Sequence, residues 1–360
     1  MGRVQLDELF LVDYRNIKGL TIAPSPRFNI VSGRNGMGKT NLLEAIYIIG
    51  SMRSFRQSRR VEMVRRGAAE TRIRGRFGDV SVGMTCEITM GREGRQVKID
   101  GKSAHLDGRY FHALPMVLFH PGNLAIVQGG PDARRRFLDR ALFQAEILYQ
   151  EAYRSYGKAV ASRNRILKTR PLDRRALDSF DEQLASHGAR MVMMRERLVV
   201  SMTPLFEEAM ERIGGGGQSR MEYRPKVEGG FDEIMSALHN TIEKDTAMGY
   251  TTVGPHADDL IFEVNDLDAR KFASQGQQRT VVLAAKIAET GSLEKSTGRT
   301  PLLLLDDVSS ELDRDRNRHL FGFLKELGGQ VFITTTHNDH IPIEGDRVDF
   351  CVENGSIALN

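Results

Sequence analysis

The sequence predicts an α/β fold with an antiparallel β portion and an inserted helical lobe, and three observations support that prediction. The apolar stretch Phe28–Val31 runs directly into a glycine-rich loop and then a helical pattern, a strand-loop-helix unit. Two continuous apolar runs of strand length, Pro301–Leu305 and Gln330–Thr335, follow near the C-terminal end, with the composition of parallel strands covered on both faces. Between these regions, the residues from Asp132 to Ile213 are rich in Arg, Leu, Ala, Met and Glu with few helix breakers.

In chain order, the opening residues read as a short strand pair leading into Phe28–Val31. Asn41–Ile49 reads as a helix that buries Leu42, Leu43, Ala45, Ile46 and Ile49. From Arg72 to Ile99 the apolar period becomes two, with Met84, Cys86, Ile88 and Met90 on one face. Asp100-Gly101 then supplies tight-turn chemistry, so antiparallel strands are expected. The helical stretch is divided at Pro171 and ends at Gly214–Gly217, the best hinge candidate in the chain. After it the α/β pattern returns. The chain thus groups as 1–125, a first part of an α/β head with its β subdomain; 126–250, the helical lobe; and 251–360, the second part of the head.

Composition narrows the function. A chain of 360 residues with 40% hydrophobic and 27% charged residues can bury a full core and is neither disordered nor fibrous in character. Its 51 basic and 47 acidic residues leave a net charge of +4, so a polyanionic partner would have to meet a local patch. Cys86 and Cys351 fit neither a disulfide framework nor a zinc motif. Met1–Glu8 has no apolar signal core, and no run approaches about 18 apolar residues, so a cytoplasmic protein is expected.

The loop Gly33-Arg34-Asn35-Gly36-Met37-Gly38-Lys39-Thr40 satisfies G-x-x-x-x-G-K-[ST] in the required strand-to-helix context. Its glycines let successive backbone N–H groups turn inward on a phosphate, with the positive end of the following helix behind them. Lys39 would neutralise β/γ oxygens of ATP and Thr40 would ligate Mg²⁺. Leu302–Leu305 ends in Asp306-Asp307. Two consecutive carboxylates at the end of a core strand are costly without a cation, so Asp306 is assigned to Mg²⁺ and Asp307 to the attacking water; a helix N-cap is the alternative.

Asn41–Ile46, directly after the loop, resembles the RecF and SMC class of ATPases. Ala273–Arg279 resembles the ABC signature in its RecF form, Ser309–Asp313 the D-loop, and Thr335-Thr336-His337 falls where the switch histidine lies. Asp13–Asn16, Ser54–Arg56, Gly129–Asp139 and Gly254–Leu260 are further RecF-like segments, and the series spans nearly the whole chain in the expected order. Three positions depart from the pattern. Gly122-Asn123 replaces an acidic pair, and Ala257 stands where Arg is usual.

The resemblance implies an ABC-type P-loop ATPase head, with ATP and Mg²⁺ as cofactors and Asp307, Lys39 and His337 as catalytic residues. Asp307, where most ABC ATPases carry Glu, implies weak and slow hydrolysis. Gln128 is the candidate Q-loop residue. An ATP-dependent homodimer is implied, in which the signature residues Ser274, Gly276 and Gln277 of one subunit face the γ-phosphate held by the other. Ser274 can also serve simply as a helix N-cap. The family acts with RecO and RecR in loading RecA at DNA gaps, and in replication recovery and the SOS response. ABC transporter subunits and SMC heads share the nucleotide motifs. The long helical insert and the Ser-Gln-Gly-Gln-Gln signature disfavour the first, and the absence of a long heptad segment disfavours the second.

Three basic clusters are candidate phosphate-backbone contacts: Arg53, Arg56, Arg59 and Arg60; Arg134, Arg135 and Arg136; and Arg154, Lys158, Arg163, Arg165 and Lys168. Arg56, Arg134, Arg135, Arg154 and Lys158 are the residues expected to touch DNA, double-stranded or gapped. Nothing resembles a base-reading module, so little sequence preference is expected.

Overall fold

The computed structural model describes residues 2–56, 58–78, 83–214, 217–307, 312–336, 341–353 and 355–359. The chain forms two compact units, Met1–Asn123 with Glu289–Asn360, and Leu124–Ala288. Among the described residues no helix is long and apolar enough to cross a membrane.

Among the described residues the first unit has two six-stranded sheets and a short parallel pair, Gly2–Arg3 with Arg299–Thr300. One runs in the order Ser356–Leu359, Arg347–Glu353, Phe28–Ser32, Val331–Thr335, Leu302–Asp306, Met116–Phe119, all parallel except the Ser356–Leu359 edge. Leu302–Asp306 and Val331–Thr335 are buried throughout, which is why their sequences are continuous apolar runs. The register sets Asp306 beside Thr334, and Thr334 beside Val31. The acidic strand end and the strand feeding the phosphate loop therefore finish at the same level of the sheet.

The second sheet is antiparallel and runs Ile17–Ile22, Gln5–Tyr14, Glu70–Gly78, Met84–Gly91, Arg95–Ile99, Lys102–Ser103. Cys86, Ile88 and Met90 are buried on one face, as their period-two spacing predicts. Asp100 and Gly101 both take positive φ, 48° and 77°, the conformation of a two-residue hairpin turn. The helix Lys39–Ser51 packs against strands of both sheets, and Leu6, Ile46, Leu304 and Phe332 share one core.

The second unit contains the helices Pro131–Ala145, Tyr149–Ile166 and the 41-residue Arg174–Gly214. Pro171 lies in the break before the long helix, and a further break falls at Glu146–Leu148. Residues 251–288, grouped by sequence with the head, fall in this unit. Asp259–Val264 pairs antiparallel with Ser219–Arg224, and Val281, Ala284, Ala285 and Ala288 join a core with Leu138, Tyr149, Phe206 and Leu260.

Two arginines are among the largest fully buried side chains of the molecule, both in this unit. Arg195 pairs with Asp139 at 2.7 Å and Asp258 at 3.1 Å and donates to the Pro255 carbonyl. Arg163 pairs with Asp181 at 2.5 Å and Asp245 at 2.6 Å. Buried charge is tolerated there because each guanidinium meets two carboxylates.

Candidate nucleotide site

The phosphate loop depends on glycine where the backbone is crowded. Gly38 precedes the helix with φ 118°, and a Cβ there would lie 2.9 Å from the Asn16 amide. Gly33 has φ 152°, and a Cβ would meet the Val352 carbonyl at 2.5 Å. Any side chain at either position would push the loop off its supports.

Lys39 is buried, and its ammonium donates to the Gly33 carbonyl at 2.6 Å and the Arg34 carbonyl at 3.2 Å. Burial pulls its pKa below the usual lysine value, while the Asp307 and Asp306 charges oppose that shift. The Thr40 hydroxyl donates to Asp306 Oδ1 at 2.8 Å, and the Thr334 hydroxyl donates to the same oxygen at 2.9 Å. Burial pushes the Asp306 carboxyl up, and these two hydroxyls pull it back. Asp307 is half-buried at φ 52°, with its backbone N–H donating to Thr334 Oγ1 at 2.9 Å. Lys39, Thr40, Asp306 and Asp307, 266 residues apart in sequence, thus meet at one end of the parallel sheet, where open α/β sheets bind ligands.

A support layer lies behind the loop. Asn16 Nδ2 donates to the Met37 carbonyl at 2.9 Å, Asn41 Nδ2 donates to Asn16 Oδ1 at 2.7 Å, and Arg56 donates to Asn41 Oδ1 at 2.8 Å. Buried Glu44 accepts two bonds from Arg15, at 2.9 and 2.6 Å, and one from Ser54. In the sequence Asp13–Asn16 and Ser54–Arg56 stand out as family-like strings, with Arg56 also in a basic cluster, and Thr334 has no evident role beyond its strand. His337 and residues 309–311 of the D-loop lie outside the described residues.

The signature segment belongs to the second unit. Ser274 and Gln277 form a capping box: the Gln277 backbone N–H donates to Ser274 Oγ at 3.3 Å and the Ser274 N–H to Gln277 Oε1 at 2.8 Å. Ser274 is therefore the helix cap that its position suggested. Gly276 lies in the first turn of the helix Gln275–Thr297. Gln128 donates to Gln278 Oε1 at 2.8 Å, within the same unit.

The basic clusters separate by burial. Arg53, Arg56, Arg59 and Arg60 are exposed in the first unit, and Arg60 and Arg53 add to burial in lowering the pKa of neighbouring Arg95, as accumulated positive charge does. In the second unit Arg154, Lys158 and Arg165 are exposed at helical spacing on Tyr149–Ile166. Arg134 is a correction: it is buried, and its guanidinium holds Asp259 through two bonds of 2.6 and 2.9 Å. Arg135 is likewise engaged internally, donating to the Asp258 carbonyl at 2.6 Å and pairing with Asp132. Arg163 is buried between Asp181 and Asp245. These three arginines tie the second unit together through internal carboxylates and carbonyls.

Residues 5–352 match the family model of the RecF/RecN/SMC N terminal domain. The DNA replication and repair protein RecF of Anaeromyxobacter sp. (strain K) is 39% identical over 371 residues, covering 99% of each chain. That of Myxococcus xanthus (strain DK1622) is 40% identical over 370 residues, 99% of this chain and 97% of the relative. A solved structure of the recombination mediator protein RecF-ATP in the RecFOR pathway superposes with a TM-score of 0.92 at 30% identity, covering 99% of this chain and 98% of that one. An Smc head domain from Pyrococcus furiosus, at TM-score 0.60 and 16% identity, shares the fold. With matches running over nearly its whole length, the chain belongs to the RecF family.

Proposed function

We propose that this chain is an ATP-dependent DNA-binding protein of recombinational repair, which dimerises on ATP and is reset by slow hydrolysis. The observation that carries the reading is the meeting of Thr40 and Asp306 in one hydrogen bond at the sheet end, beside Lys39 and Asp307. A hydroxyl and a carboxylate are oxygen donors suited to a hard cation, and they would hold Mg²⁺. When bound, Mg²⁺ neutralises charge on the β- and γ-phosphate oxygens. Lys39 adds a second counter-charge, and Asp307 is positioned to orient the attacking water and accept its proton. Ser274, Gly276 and Gln277 present a capped helix start that completes the γ-phosphate shell of a partner copy. His337 takes the switch position.

The likeness to RecF, and to a RecF structure of the RecFOR pathway, supports a place in that pathway. On this reading the chain acts in the cytoplasm with RecO and RecR in loading RecA at gaps, within replication recovery and the SOS response. DNA is held through its backbone by the exposed basic clusters, Arg56 with its neighbours and Arg154 with Lys158.

Sedimentation mass and DNA affinity measured with and without ATP test this reading. ATP should convert monomers to dimers and tighten DNA binding. Replacing one contacting cluster should flatten the plot of log K against log salt by about 0.9 per lost contact on duplex DNA. A monomer that binds DNA equally with and without ATP would contradict the proposal.

A further inference from the structure

The second unit holds a side-chain cluster that neither the nucleotide nor the DNA reading uses. Asp178 and Asp181 stand at i and i+3 on the helix Arg174–Gly214, and His239 lies in the last turn of Phe231–Asn240, which packs against it. One donor atom from each, two carboxylate oxygens and a ring nitrogen, lies within 4.8 Å of the other two. Asp178 and His239 are exposed, while Asp181 is 1% exposed. Asp181 Oδ1 accepts from Arg163 Nε at 2.5 Å, but its Oδ2 is buried with no hydrogen-bond partner among the described residues.

A bare buried carboxylate oxygen beside a second carboxylate is unfavourable without a cation. Arg163 does not balance the charge alone. It is shared between Asp181 and Asp245, so that pair already leaves one negative charge, and Asp178 beside Asp181 adds a second. We propose that Asp178, Asp181 and His239 form a binding site for a divalent transition cation of the zinc type, which clips the two helices together. One imidazole with two carboxylates is a donor set that Zn²⁺ accepts at about 2.0–2.2 Å, whereas Mg²⁺ and Ca²⁺ favour oxygen alone. The exposed Asp178 and His239 can turn toward the fixed oxygen of Asp181. Leu184, Ile234 and Leu238, on the same two helices, are buried in one core that holds the two backbones, and Arg163 orients the Asp181 carboxylate through its Oδ1.

Calorimetric titration of the full chain with Zn²⁺, without nucleotide, tests the site. One equivalent of Zn²⁺ per chain should bind and raise the melting temperature. His239→Gln and Asp178→Asn, both at exposed positions, should each weaken binding at least tenfold while melting like the wild type without metal. Asp306→Asn should bind Zn²⁺ normally; loss of binding there would put the cation at the phosphate site and overturn the proposal. X-ray absorption of the zinc-loaded wild-type chain gives a readout independent of the variants. An imidazole nitrogen with carboxylate oxygens in the metal shell supports the site. A shell without imidazole, unchanged affinity in both variants, or no binding by the folded wild-type chain overturns it.

Discussion

Thr334 shows how one hydroxyl can organise an active end of a sheet. It donates to Asp306 and accepts from the Asp307 backbone, fixing both consecutive carboxylates. Thr334→Val should lower stability by about 1–3 kcal/mol, because buried Asp306 loses a donor and the part-buried Asp307 N–H its acceptor, and should slow ATP hydrolysis more than it weakens ATP binding. Thr334→Ser should restore both, as steady-state kinetics and chemical denaturation will read. Glu44 gives a second test at this scale. Burial alone would raise its pKa, but the hydrogen bonds from Arg15 and Ser54 outweigh it and hold the carboxyl below the usual glutamate value. A depressed folded pKa stabilises the protein above the unfolded value and ceases to do so as pH falls through the folded one. The stability gap between wild type and Glu44→Gln should therefore be full at neutral pH and shrink on acidification below about 4.5, measured by denaturation across pH. Lys39, Thr40 and Asp306 were legible because motif spacing encodes them. Thr334 and Asn16 were not, since their roles arise from strand register and from a loop meeting a hairpin far away in sequence.

At the scale of elements, apolar periodicity carried most of the fold. Leu302–Leu305 read as a covered strand because it is buried on both faces, and Cys86, Ile88 and Met90 because they share one. Charge was harder to read, for a run of arginines does not say which side of a helix faces inward. Arg134 turns to Asp259 within the core, whereas Arg136, two residues on, is exposed. The same ion pairs give the family-like segments a structural task. Asp139 of Gly129–Asp139 and Asp258 of Gly254–Leu260 are joined through Arg195 on the long helix. Arg195→Met should accordingly cost about 3–5 kcal/mol by leaving two buried carboxylates without their counter-charge, while Lys158→Ala on an exposed helix face should stay within about 0.5 kcal/mol. Urea midpoints of the two variants provide the comparison.

For the whole molecule, the proposed nucleotide site is completed by a second copy. The phosphate loop belongs to one compact unit and the signature helix start to the other. The order of motifs along the chain revealed both parts, but the placement of residues 251–288 in the helical unit needed the pairing of Asp259–Val264 with Ser219–Arg224, which no local pattern announces. If the γ-phosphate shell is shared, Ser274→Arg should leave ATP encounter at Lys39 and Thr40 nearly normal, yet block closure of the dimer and with it hydrolysis. Lys39→Ala should fail at the opposite step, losing the phosphate counter-charge while keeping an intact signature. Mixing the two inactive variants is then the most direct measurement, because a mixed dimer contains one site made from the intact phosphate loop of one chain and the intact signature of the other. Partial recovery of ATPase activity is the predicted result; no recovery, with mixed dimers demonstrated by mass, would contradict the shared site.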